Sequence, residues 1–547
     1  MAAFLVMGLE ICNKNTGGLH RRSDLTYTIV NNKQKQTGGQ RWLLVTAFVT
    51  GVVSMGVELV AVRLIAPYFG VSILVWSSLL SVVMLSLSLG YWLGGKYSQR
   101  FPTSDVLFSI LFGLSLYLLL LPFLAPFMMA TARAALETVH ASVVIGATLN
   151  TMVLFAIPFF LCAFVQPFLV LLSTKGTAVG VSSGRILAIS TIGSVVGTLI
   201  PTLFLVPWIG SRATFILFAF LLFVVSVVGL RKRWFALFFP LFVLAFWLNP
   251  RGFRSGSSYV FQDESLYSSI AVQWDDKMGY ELLLDEGLGI HSLYHPARVL
   301  TGEYWDQALL APFFQPEKQN QRVGVLGSGG GTIIRVMQEM IGDRFSFTFD
   351  GVEIDPKLIE LAKHSFDANY SNVQYHAEDA RVFLDNDKQG SFDLLFLDAY
   401  HHLAMPAHLT SQEFFQLVKS KLSPDGVFMV NMVAIGESSP VYQRVVATIK
   451  SVFPSVSVVY KGYPSFNYLL VATNNNDGVG RFAMAIEGLR TNSHLASLSD
   501  ALKKDSRTLD EDFSVALVTD DRPLSEVFFL YMGVEREFYR LWQESGR

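Results

Sequence analysis

Apolar runs crowd the first 248 residues of this chain and then stop. Seven of them, roughly 43–66, 73–95, 106–129, 143–172, 186–209, 213–230 and 234–248, invite comparison with the ~20 apolar residues that cross a bilayer. A chain divided this way is not one globular unit, because its first half asks for a lipid solvent and its second for water. Its 547 residues also exceed what one hydrophobic core usually holds. The composition, 51% hydrophobic and 16% charged, is far from the ~25% charge of soluble domains. A net charge of -2 provides no field for nucleic acid, so no nucleic-acid partner is expected. The two cysteines, Cys12 and Cys162, cannot build a disulfide framework. The start, MAAFLVMGLEIC, lacks the basic n-region and cleavage site of a signal peptide.

Lys and Arg favour alternate connections. Arg21, Arg22, Lys33, Lys35 and Arg41 precede the first run; Lys96 and Arg100 follow the second, Lys175 and Arg185 the fourth, Arg231, Lys232 and Arg233 the sixth. Cytoplasmic loops carry such an excess, so the expectation is a multi-pass protein of the cell (inner) membrane with a cytoplasmic N-terminus. The run at 234–248 falls below the usual ~17–25 residues. Counted as a span it puts the second half of the chain outside; counted as re-entrant it keeps that half inside. Gly90 with Gly94, and Gly193 with Gly197, predict close helix packing. Glu58 and Gln166 lie within runs, where a polar group needs a partner across the bundle or a task, and Arg63 is near enough to a run's end to snorkel.

NPRGFRSGSS (249–258) reads as a linker, and from about 259 short β runs alternate with amphipathic helices, as in an α/β domain. QRVGVLGSGGGTIIRVMQEM (321–340) reads strand, glycine loop, helix. Gly327, Gly329, Gly330 and Gly331 let the backbone turn and approach a ligand, although Thr332 breaks the full dinucleotide pattern. Glu353 follows the next strand, 22 residues after Gly331, where an acid binds ribose hydroxyls. Asp379 and Ala380 follow a third strand, where an acid can accept from an adenine amino group. FDLLFLD ends in Asp398, and GVFMVNMV (426–433) is a fifth strand. Parallel strands present such residues on one edge, so the loop, Glu353, Asp379 and Asp398 should line one nucleoside pocket. Adenosyl-sulfonium fits better than a dinucleotide, since no second phosphate-binding loop is visible.

These motifs, with HSLYHPARVLTGEYWDQALLAPFF, VEID, EDAR, LDAY, PAHLTSQEFFQLVKSKLSPDGVFMVN and TDDRPL, resemble the successive signatures of the polyamine aminopropyltransferases, spermidine synthase among them. The resemblance covers roughly 259–530 and is stronger for a membrane-fused bacterial branch. It implies a multi-span α-helical membrane domain followed by an α/β Rossmann-like (class I methyltransferase-like) domain with a small β-rich N-terminal subdomain. The division expected is 1–40 N-terminal cytoplasmic segment, 41–250 transmembrane domain of six or seven spans, 251–300 linker and β-rich subdomain, and 301–547 synthase-like domain. The resemblance also implies decarboxylated S-adenosylmethionine as donor, a small-molecule amine as acceptor, a lipid bilayer around the first half, and a homodimer by analogy with soluble relatives. Glu353 would hold the ribose, Asp379 with Ala380 the adenine, and Asp398 would accept the proton of the attacking amine. Other readings of the same pocket are a methyltransferase using S-adenosylmethionine and a non-catalytic polyamine transporter or sensor.

The departures fall on the amine side. Ser268 stands where soluble synthases usually have Gln, Trp305 and Asp306 where they have His and Glu, Gly330 where the glycine loop has Asp, and His401 where the catalytic loop has a second Asp. Tyr304, Asp306, His401 and Asp520 remain the substrate-facing candidates. No metal is expected: His291 and His295, and the group His401, His402 and His408, lie beside Pro296 and Pro406 and lack convergent cysteines.

Overall fold

The computed structural model describes residues 25–69, 73–139, 143–174, 178–248, 258–285, 289–400, 405–434, 436–461, 467–475, 478–509 and 511–522. Its first half is helical: α1 (Leu25–Phe69), α2 (Ile73–Arg100), α3 (Ser104–Val139), α4 (Val143–Ser173), α5 (Val179–Ile200), a π-helical turn at Pro201–Leu205, α6 (Val206–Leu230) and, after a 3-10 turn at Arg233–Phe238, the short α7 (Phe239–Trp247). Among the described residues five helical runs are long and apolar enough to cross a membrane, the last being Val179–Leu230 at 52 residues. A straight helix of that length would measure about 78 Å against a hydrocarbon core of ~30 Å. It is broken instead at Gly210, whose φ of 80° and ψ of 165° are non-helical. The two runs expected at 186–209 and 213–230 are therefore two helices that meet directly at Gly210, without a loop between them.

Large apolar side chains point outward from the bundle, among them Leu120, Phe127, Ile157, Val195 and Leu199, as well as inward. A helix apolar all round is suited to lipid. The small-residue faces explain which helices touch. A Cβ on Gly90 or Gly94 would meet the Phe160 or Phe164 carbonyl of α4 at 2.3 or 2.4 Å. One on Gly193 or Gly197 would meet the Phe48 or Val52 carbonyl of α1 at 2.2 or 2.1 Å. Only glycine permits these backbone approaches. Gln166 donates to Ser190 at 3.1 Å and Thr50 at 3.4 Å, tying α4 to α5 and α1.

The second half holds two sheets. β1 (Tyr259–Glu264), β2 (Ser269–Asp275), β3 (Gly279–Leu284) and β4 (Ile290–Tyr294) form an antiparallel sheet in that order. The larger sheet is built from β5 (Asn320–Leu326), β6 (Ser346–Val352), β7 (Val373–His376), β8 (Phe392–Leu397), β9 (Leu422–Val433), β10 (Ser455–Lys461), β11 (Asn467–Thr473) and β12 (Arg507–Thr508). Its order is β12-β10-β11-β9-β8-β5-β6-β7; β7, β6, β5, β8 and β9 run parallel, and β11, β10 and β12 are added antiparallel. β8 is buried at every position, as a parallel strand covered on both faces should be. The chain reverses its direction of travel across the sheet between β5 and β8. Such a switch point opens a crevice at the carboxyl ends of the strands.

Candidate active site

Register decides which residues share that crevice. Leu326 pairs with both Val352 and Leu397, and Val352 with His376. Gly327, Glu353 and Asp398 each follow one of these residues, so all three emerge on the same edge. The backbone is locked there: Gly327 N–H donates to Val352 O at 2.9 Å, and Asp398 N–H to Leu326 O at 2.8 Å. Gly327 has a φ of 83°, and a Cβ there would lie 2.5 Å from Ala399 Cα. Glycine is required on both counts.

The glycine loop is held from two sides. Gly329 N–H donates to Glu353 at 3.0 Å, and Gly330 N–H to the Ser292 hydroxyl of β4 at 2.7 Å. A Cβ on Gly330 would come within 2.8 Å of Ser292 Cβ and 3.0 Å of Phe366, so the Asp of the soluble pattern has no room here. Glu353 is buried, with Asp355 N–H on its other oxygen at 3.2 Å. Burial pushes its carboxyl up to about 7, against the pull of these backbone donors.

Asp379 caps the helix Ala380–Asn386 through the N–H groups of Arg381 and Val382. Its second oxygen meets His408 Nε2 at 2.8 Å. Burial works against the charged form, but the His408 hydrogen bond and the cap outweigh it and hold the carboxyl below its usual range. Ala380 is buried directly behind it. Asp520, expected to face substrate, is instead paired with Arg381 by two bonds of 2.8 and 2.7 Å. That pairing, with a bond from Ser411, drives its carboxyl down to about 2 and pins the TDDR turn to this helix.

Asp398 is the most elaborately held residue. It accepts from Tyr304 Oη at 3.1 and 2.9 Å, Trp305 Nε1 at 3.2 Å and Asn431 Nδ2 at 2.8 Å. Asn431 is fixed in turn: its side-chain oxygen accepts from Asn467 Nδ2 at 2.8 Å, and its carbonyl from the Tyr400 hydroxyl at 2.8 Å. Burial pushes Asp398 up to about 7, while Asn431, Tyr304 and Trp305 pull it back. A carboxyl poised near neutrality can both take and release a proton at working pH.

Two of the substrate-facing candidates are held by the fold itself. Tyr304 touches Asp398 from inside the fold. Asp306 is buried and spent on the Thr301 N–H and hydroxyl and the Gly302 N–H, at 2.7 to 2.9 Å, so it organises the turn ahead of Tyr304 and does not present a carboxylate to an amine. His401 lies outside the described residues. Among the described residues no group of three His, Cys, Asp or Glu is placed to hold a metal. Sequence reasoning passed over Asn431, Asn467 and Ser292. Asn431 had a signal, since an amide inside the apolar run GVFMVNMV of a buried strand needs a buried partner.

Known proteins match the second half of the chain. Residues 312–474 match the family model described as the spermine/spermidine synthase domain. That stretch of the chain is similar to a spermine/spermidine synthase domain. A probable polyamine aminopropyl transferase of Bifidobacterium longum is 29% identical over 231 residues, 41% of this chain and 47% of its own length. A polyamine aminopropyltransferase of Vibrio vulnificus is 29% identical over 213 residues, 36% of this chain and 66% of its own. The chain thus spans about half of the first relative and just under two thirds of the second. The crystal structure of a probable spermidine synthase from Corynebacterium glutamicum is similar at 17% identity with a TM-score of 0.35, covering 47% of this chain and 97% of that one. Gly327–Gly331, Glu353, Asp379 and Asp398 all lie in the matched stretch.

Proposed function

We propose that the protein is a membrane-embedded aminopropyltransferase, with residues 41–250 in the bilayer, the N-terminal segment 1–40 in the cytoplasm, and the synthase domain of 301–547 behind the β-rich piece 251–300. The donor is decarboxylated S-adenosylmethionine and the acceptor an amine. Glu353 takes the ribose hydroxyls, Asp379 and Ala380 the adenine edge, and Gly327, Gly329 and Gly330 give the backbone its close approach. The observation that carries the reading is Asp398, a buried carboxyl near neutral pKa, one residue beyond the end of β8 at the switch point and gripped by Tyr304, Trp305 and Asn431.

The chemistry follows from that group. An ammonium has no lone pair, so the acceptor must lose a proton before its nitrogen attacks the aminopropyl carbon next to sulfur. The C–N bond forms as the C–S bond breaks, the sulfur keeps the bonding pair and leaves as neutral methylthioadenosine, and the amine proton passes to Asp398. A carboxylate in a dry pocket also attracts the cationic amine before it reacts. Its three donors fix its orientation, which is how a base is kept within reach of a proton. The test is release of 5′-methylthioadenosine by the purified full-length protein with the decarboxylated donor and a panel of amines. S-adenosylhomocysteine and a methylated product from the carboxylated donor would replace this reading with methyl transfer.

A further inference from the structure

We infer that the synthase domain is docked on the membrane face opposite the Lys- and Arg-rich connections, so that its pocket opens on the non-cytoplasmic side. The docking begins at the break in the long rod. Gly210 adopts a conformation open to glycine almost alone, and Ser211 then starts a fresh helical turn whose N–H groups have no partner within the helix. Glu264, the last residue of β1, supplies that partner. Ser211 N–H lies 3.3 and 3.2 Å from its two oxygens, and the Ser211 hydroxyl donates to it as well. Burial pushes the Glu264 carboxyl up, while Ser211, Arg63 and Arg212 pull it back. Arg63, at the end of α1, donates to the Leu266 carbonyl. It therefore reaches protein, not the lipid headgroups that snorkelling would suggest. Two helices far apart in sequence thus present one end each to the same edge of the synthase half.

That edge fixes sidedness. α1 runs from Arg41 to the docked Arg63, and α6 from the docked Ser211 to Arg231 and Lys232. Following the helices in turn, Lys96, Arg100 and Arg185 all fall with Arg41 and Arg231 on the far face. The helix positions at the docked face include Arg63, Arg133 and Arg212. The excess stays with the far face, which the positive-inside rule places in the cytoplasm.

For this to hold, the short seventh run must cross, because the chain leaves α6 on the far face and enters β1 on the docked one. It is long enough. Six 3-10 residues at ~2.0 Å and nine α residues at ~1.5 Å give about 26 Å, close to the ~30 Å core. It also packs on the bundle: Phe238 meets Phe112, Phe239 meets Phe220, and Phe242 meets Phe223, with centroids 5.3, 6.0 and 4.6 Å apart. Phe242 also reaches back to Phe220 at 6.0 Å. A sulfonium donor and a protonated amine are both charged and do not cross an apolar core unaided, so both must be present or delivered on that face.

The test labels thiols in intact cells expressing the full chain with Cys12→Ser, Cys162 being buried. Gln319→Cys puts a thiol on the exposed surface of the synthase half, and Lys232→Cys puts one on the basic connection. A membrane-impermeant maleimide should label Gln319→Cys about tenfold more than Lys232→Cys before permeabilisation, and both alike after it, since the charged probe cannot cross the bilayer. Glu317→Cys, also exposed, is read in the same way should Gln319→Cys not accumulate. The reverse pattern, or equal protection of both faces' thiols in intact cells, overturns the inference. Labelling reads no catalysis, so it fails or succeeds separately from the proposed aminopropyl transfer.

Discussion

Replacing Asp398 with asparagine separates two effects that the proposed base has, one on turnover and one on the stability of its own fold. The side chain keeps its shape and loses its charge. As base it contributes a factor on the order of 10²–10⁴ in rate, so Asp398→Asn should lower methylthioadenosine release by that much at saturating donor. Its effect on stability should have the opposite sign. The carboxyl sits near 3.8 when unfolded and about 7 when folded, raised by burial. A raised acid contributes its full stability below pH 3.8 and loses it as pH climbs to about 7. At 1.36 kcal/mol per unit the loss is about 4 kcal/mol, an upper figure for one buried group. The variant gives up roughly 1 kcal/mol because its amide cannot accept from all three donors. Net, the synthase domain of Asp398→Asn should unfold several degrees above the native one at pH 8 and at or below it at pH 4, at ~2 °C per kcal/mol for a domain of this size. Thermal unfolding in detergent across that pH range, with turnover measured alongside, is the assay. A variant that keeps native turnover would refute the role as base, and one whose stability tracks the native protein at every pH would refute the buried charge.

Turnover of the native protein should rise with pH through about 7 as Asp398 ionises, and a flat profile between pH 6 and 8 would contradict this. Asn431→Leu removes a donor that favours the charged form, so the rising limb should move about one unit higher while Tyr304 still contacts the carboxyl. Glu353→Gln should weaken donor binding by about 10- to 100-fold in calorimetry, the value of charge-assisted hydrogen bonds to ribose, with less effect on the acceptor. Gly197→Ala forces a Cβ to 2.1 Å from the Val52 carbonyl and should cost the bundle about 1–3 kcal/mol, read as lowered thermal stability. Gly113→Ala, with nothing within 4 Å, should leave it unchanged.

Much of the larger sheet could be read from periodicity and glycine. The strand–loop–helix at 321–340 and the acids 353, 379 and 398 were legible because each follows a short apolar run, and parallel strands leave no choice about which edge their tips share. What sequence could not show was whose side chain occupies whom. Asp306 and Asp520 look like free acids in a line of letters, yet Thr301 and Arg381 had already claimed them. Asn431 meets Asp398, and Asn467 meets Asn431, only because β9 lies between β8 and β11, a neighbour relation that no local pattern encodes. In the first half hydropathy marked the runs but not the kink, since Gly210 inside an apolar stretch gives no local sign that the helix will break there and be capped by Glu264 from 53 residues away.

The most direct measurement is product analysis by mass spectrometry on the purified full-length protein, supplied in parallel with decarboxylated and ordinary S-adenosylmethionine and a mixed panel of amines. Aminopropyl transfer predicts methylthioadenosine and an amine heavier by one aminopropyl group with the decarboxylated donor alone, abolished in Asp398→Asn. A methylated product with S-adenosylhomocysteine, or no turnover of either donor, would contradict it.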